Sequence, residues 1–117
     1  MLLNLSHASF RSEDEAARLA ALRTYQLSPD DGDNGLYADL VALARTIGRC
    51  ETAFISIVDE ERQWFKASEG LDIDQTPRSI AFCDHAIRSS DVMVVLDAAQ
   101  DPRFADNPLA TGPPHIR

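Results

Sequence analysis

Cysteine is scarce in this 117-residue chain, which has Cys50 and Cys83 and no others. Two cysteines so far apart give no framework spacing, so the sequence permits a disulfide without supporting one, and a reducing cytoplasm is the default setting. Positive charge is also short: 11 Lys and Arg against 19 Asp and Glu leave a formal charge of −8. The basic residues are scattered without a stripe, which argues against nucleic acid and against an anionic membrane surface as partners. No apolar run approaches the roughly 20 residues that a spanning helix needs. The stretch Met1 to His7 has no basic leader and no sustained apolar region, so no secretory signal is expected. A glycine-rich phosphate loop, a Ser/His/Asp order, a paired-carboxylate motif and an internal repeat are missing as well. Nothing therefore nominates a catalytic residue or a cofactor.

What remains is the composition of one globular domain, 44 % hydrophobic and 26 % charged. A chain of this length buries roughly two-thirds of its unfolded surface, enough for a core without staples. Ser12-Glu13-Asp14-Glu15 has the pattern of a capping box, with acidic residues suited to the positive end of a helix dipole. A helix with a thin, alanine-rich face is expected from there to about Leu27, stopped by Ser28-Pro29. Such a face suits packing against another helix, which makes this segment a candidate dimer or linker helix. Asp30 to Gly35 invites a calcium reading, but the twelfth position, which needs a bidentate Glu, falls on Val41 or Ala42. A turn is the better reading, and no metal site is expected.

Leu36, Leu40, Leu43 and Ile47 recur at helical spacing, with Gly48 as the stop signal. Ala53 to Val58 reads as a strand, Asp59-Glu60-Glu61 as an acidic turn, and Gln63 to Ser68 as the returning strand. Both faces of the first strand are apolar, which predicts an interior strand. Trp64 and Lys66 alternate with Phe65 and Ala67, which predicts an edge for the second. Ile80, Cys83 and Ala86/Ile87 share a helical face, and Val92 to Leu96 reads as a further strand. Cys83 and His85 lie about 200° apart around a regular helix, so they do not converge on one metal, and Cys83 reads as a small buried hydrophobe. Asp101 to Phe104 and Asn107 to Leu109 read as short turns or single helical turns.

Taken together, Ile57 to Ala67, Gly70-Leu71, Thr76-Pro77-Arg78, Ala81 to Ile87 and Asp97 to Leu109 resemble a GAF domain of bacterial signalling proteins. The similarity runs from about Arg18 to Arg117 and rests on the spacing of all these segments. It is nearest to the subgroup that precedes histidine kinase, diguanylate cyclase or PAS modules, a two-component setting. The resemblance implies an α+β, GAF/PAS-like fold: an antiparallel sheet with helices packed on it and a ligand cavity on one face. The family's C-terminal strands are missing by this comparison, so residues 1–11 are expected to be a tail and 12–117 a truncated domain, marginal on its own.

The function implied is a non-catalytic sensory or regulatory module, binding a small molecule or relaying a signal to an output domain. No enzymatic activity is expected of the chain itself; kinase or cyclase activity would lie in that output domain. The candidate pocket wall is Phe82, Cys83, Ile87, Asp97 and Phe104, and a homodimer through the N-terminal helices is a candidate assembly. The alternative is a thiol-based redox enzyme resembling free methionine sulfoxide reductase, using Cys83. That reading needs an accessible thiolate of lowered pKa.

Overall fold

The computed structural model describes residues 12–29 and 35–117. The expected tail (1–11) and most of the acidic loop weighed for calcium (30–34) lie outside the described residues. Within them the chain folds as α+β, with helices packed on a small antiparallel sheet, compatible with a GAF/PAS-like fold. The order is α1 (Ser12–Thr24), α2 (Leu36–Gly48), β1 (Ala53–Val58), β2 (Arg62–Glu69), β3 (Gln75–Pro77), a 3-10 turn (Arg78–Ile80), α3 (Phe82–Ala86) and α4 (Pro108–Thr111).

The hairpin β1–β2 closes over the acidic turn, where the Asp59 amide donates to the Arg62 carbonyl at 2.8 Å. Ile55 stands opposite Ala67 and Ser56 opposite Phe65, so Lys66 is an extra residue in β2, a bulge. Lys66 Nζ donates to the Ser28 carbonyl at 3.1 Å and lies 5.3 Å from the centre of the Tyr37 ring, tying the sheet to the segment after α1 and to α2. At the open end of the hairpin Gly70 has φ +74°, and a Cβ there would fall 2.1 Å from the Glu51 carbonyl oxygen.

Strand roles differ from expectation. The order is β1-β2-β3, so β2 is central and β1 is an edge among the described residues. Apolar residues on both faces of β1 predicted an interior strand, but they report helices above and below it rather than flanking strands. β2 reads as half-polar because Lys66 is bulged. The buried Trp64 and the pairing of Gln63 with Thr76 make β2 the middle of the sheet. Val92 to Leu96 forms no strand: the segment has no ladder partner among the described residues, and Val92 and Leu96 are 77 % and 94 % exposed. Alternating β-branched residues favour an extended chain, but a strand exists only when its backbone groups find a neighbour.

The helices also adjust. α1 ends at Thr24 rather than Leu27, because Gln26 takes a left-handed conformation (φ 53°). α2 packs on β1 and β2, where Val41 is 2 % exposed. Its regular stripe faces the other way: Leu36, Leu40, Leu43 and Ile47 are all largely exposed. No helix of the described residues is long and apolar enough to cross a membrane.

Candidate functional site

Strand alternation puts Phe54, Ser56, Gln63 and Phe65 on one face of the sheet, and Ile57 and Trp64 on the other. α1 and α2 cover the second face. On the first, α3 and α4 enclose an apolar cavity of about 30 Å³, lined by Phe54, Gln63, Phe65, Leu71, Ile73, Thr76, Phe82, Cys83, Leu109 and Ile116. Phe54 and Phe65 meet edge-to-face at 4.9 Å, the geometry that sets a positive ring edge against a negative face. Phe82 lies flat on Phe104, with centroids 4.1 Å apart and planes inclined by 11°. α4 is held by the Asn107 side chain, which accepts from the Leu109 amide and donates to the Ile80 carbonyl, each at 2.9 Å.

The polar content of this cavity is its most informative feature. Gln63 is 3 % exposed, and its Nε2 donates to Thr76 Oγ1 at 3.2 Å, while the Thr76 hydroxyl donates to the Pro77 carbonyl at 3.2 Å. Gln63 Oε1 is buried without a hydrogen-bond partner among the described residues. Turning the amide over would only exchange which end lacks one. An unpaired buried acceptor costs about 1–3 kcal/mol, so a shift of the wall that admitted an N–H or O–H donor to it would recover that cost. The space itself suits a water or a few ligand atoms. A larger, half-open hollow of about 320 Å³ lies between the end of α1 and Trp64. Its charges are satisfied within the chain: Arg62 donates to Gln75 at 2.9 Å and Arg23 is 3.7 Å from Glu60.

Of the expected wall, Phe82 and Cys83 line the cavity. Phe104 is fully buried against Phe82, one layer out. Ile87 closes the turn after α3, its amide donating to the Cys83 carbonyl at 3.0 Å, and does not line the cavity. Asp97 belongs to a separate shallow surface with Val94 and Leu96, where its carboxylate caps the Ala99 amide at 3.0 Å. Gln63 was not singled out from sequence. The signal was there: a lone amide at the period-two position shared with Phe65 and Ala67.

Burial pushes the Cys83 thiol up, with a hydrogen bond to Ser56 opposing it more weakly. The thiol is therefore protonated at neutral pH, unlike a nucleophilic cysteine. Cys50 and Cys83 are both free, and no group of described residues could hold a metal ion.

Behind α3 lies a polar cluster. The Glu15 carboxylate of α1 accepts from Arg18 Nε and Nη2, each at 2.8 Å, and from Arg78 Nη1. Hydrogen bonds from Arg18 first, and Arg78 next, hold its pKa down at about 2. Glu15 thus pairs with one guanidinium of its own helix and with one from the turn before α3. Arg78 also donates to Asp84 at 2.8 Å, and to the carbonyls of Asp59 and Glu60 at 3.3 and 3.4 Å. Arg18 reaches the Val58 carbonyl at 2.6 Å.

No family model matches the chain. A protein of Pseudomonas aeruginosa named as a cyclic di-GMP phosphodiesterase is 45 % identical over 105 residues, which is 90 % of this chain and 18 % of that protein. The chain thus spans under a fifth of that relative's length. The expectation of a protein without enzymatic activity is corrected here, because the relative carries the name of an enzyme. The relationship supports a role in signalling.

Proposed function

We propose that this chain is a GAF-type sensory and regulatory part of a cyclic di-GMP phosphodiesterase. The observation that carries the reading is the proportion of the match: nearly all of this chain aligns with under a fifth of a protein named for that activity. The cavity beneath α3 is the sensing site in this reading, with Phe82 and Cys83 in its wall, Phe104 supporting it from behind, and Gln63 Oε1 as its recognition group. Ile87 and Asp97, farther out, belong to the surface through which α3 and the loop after it would move. The ligand class is a small molecule, or part of one, presenting a single hydrogen-bond donor to an apolar surround. Two free thiols suit a cytoplasmic setting.

The test is a chimera in which this chain replaces the matching 105 residues of the Pseudomonas relative. Gln63→Met removes the unpaired acceptor at nearly constant volume, so the variant chimera stays folded. Its rate of cyclic di-GMP hydrolysis is expected to differ at least about threefold from that of the unchanged chimera. An unchanged rate, with the fold intact by circular dichroism, would count against a regulatory role for the cavity.

A homodimer through the N-terminal helices is a second part of the reading, favoured by the exposed stripe of α2. Its spacing is symmetric about a point between Val41 and Ala42, so antiparallel pairing would set Leu36 against Ile47 and Leu40 against Leu43 of a second copy. Closed two-fold contacts of this kind are self-complementary by construction. Leu40→Glu combined with Leu43→Glu is expected to convert a dimer to monomer in sedimentation velocity. If the unchanged chain sediments as a monomer at about 100 μM, the stripe does not pair with itself.

A further inference from the structure

We propose that Arg78 is a mechanical coupling between α1 and α3, so that loosening either helix loosens the other although no direct ion pair joins them among the described residues. Its side chain is 16 % exposed, and its guanidinium bonds to Glu15 of α1, Asp84 of α3 and two carbonyls of the β1–β2 turn. Glu15 and Asp84 are comparably covered, at 19 % and 15 % exposed. A part-buried arginine with two carboxylate partners has no equally good second arrangement: releasing one partner leaves a desolvated charge that the other must hold alone. Arg78 is fixed from behind as well, since its amide donates to the Glu61 carbonyl at 2.9 Å and the Ala81 amide donates to its own carbonyl at 3.0 Å.

The two ends of this bridge differ in what they carry. Asp84 follows Phe82 and Cys83, which line the cavity, so a shift of α3 moves its carboxylate directly. Among the described side chains, α1 is attached to the body by the buried Leu19, by the half-buried Leu22, and by polar bonds: Arg18 to the Val58 carbonyl, Glu15 to Arg78, and the exposed Arg23–Glu60 pair. Much of its docking therefore depends on where Arg78 stands. Arg78 is a positioning residue on this account and touches no ligand. The coupling stands on geometry alone. Its use as a route from cavity to α1 rests on the regulatory reading above.

Amide hydrogen exchange on the full chain tests the coupling without cyclic di-GMP, so its failure is distinguishable from failure of the chimera. Asp84→Asn is expected to speed exchange of the α1 amides from Leu19 to Arg23 at least about fivefold, the lower end of usual coupling factors. Glu15→Gln is expected to do the same at Ile87 and Arg88. In an Arg78→Gln background the effect of Asp84→Asn on α1 should vanish. The proposal is overturned if Asp84→Asn speeds exchange only within 82–88, or if its effect on α1 survives loss of Arg78. Should Arg78→Gln fail to fold, the reciprocal pair of single variants still decides: the two remote effects must both be present.

Discussion

Replacing Phe104 with alanine is expected to cost about 3–5 kcal/mol of folding stability, the usual range for a fully buried aromatic. Phe104 is 0 % exposed, stacked on Phe82 at 4.1 Å, met edge-on by His85 at 4.9 Å, and approached by the Arg103 guanidinium at 5.1 Å. None of these groups can collapse fully into the space left. Phe82 is held by the cavity wall, and Arg103 is tied to Asp101 at 2.7 Å. Against a typical total of about 5–15 kcal/mol, the loss would consume much of the margin. In urea the midpoint should fall by roughly 2 M with little change in slope. Phe104→Leu, which keeps most of the volume, should recover more than half of the loss. A penalty below about 1 kcal/mol for alanine would mean that Phe82 drops into the gap, and that the wall of the cavity is softer than the stacking implies.

The second large effect belongs to Gly70→Ala, expected at about 2–4 kcal/mol from backbone strain and overpacking together. Any side chain at φ +74° is strained, and here the added carbon would also sit 2.1 Å from the Glu51 carbonyl oxygen. The backbone must move. Moving it pulls on the 3.0 Å bond from the Thr52 hydroxyl to the Gly70 carbonyl and on the first pair of the hairpin, Ala53 with Glu69. Gly35 is the matched control: its φ is +89°, but no atom of the described residues lies within 4 Å of the added carbon. Gly35→Ala should therefore cost only the conformational part, about 1 kcal/mol. Thermal melts of the two variants separate clash from strain. Equal losses would show that the Glu51 carbonyl yields freely.

How much of this was legible in the sequence depended on whether the cause was local. The hairpin was legible, because an acidic turn between two β-rich runs leaves few alternatives. α2 was legible as a helix for the same reason, since four apolar residues at helical spacing specify the period. The direction that stripe faces was not: Val41, the residue 2 % exposed against the sheet, lies off it. Strand order failed because the number of neighbours a strand has is a property of other segments. Val92 to Leu96 failed likewise, its composition asking for a ladder that no described residue supplies. The GAF resemblance implied a cavity on one face of the sheet, and position relative to the sheet put Cys83 in its wall, yet the orphaned acceptor came from β2. In the sequence Arg78 stands out only as part of Thr76-Pro77-Arg78. Its main partner, Glu15, precedes it by 63 positions, beyond the reach of any pattern of spacing.

The unpaired segment at Val92 to Leu96 bears on how this chain behaves in a crowded solution. Apolar, uncharged and free of proline, it has the makings of a template for intermolecular strand addition, and the side of β1 that no described strand covers offers another. What opposes such growth between like molecules is their shared charge of −8. That repulsion reaches only about 8 Å at physiological ionic strength and vanishes where the molecule becomes neutral, near pH 4.6. Acidic, salty buffers are thus where fibrils or precipitate would first be seen, and the surplus of carboxylates acts as the colloidal guard of a surface whose strands are only partly matched.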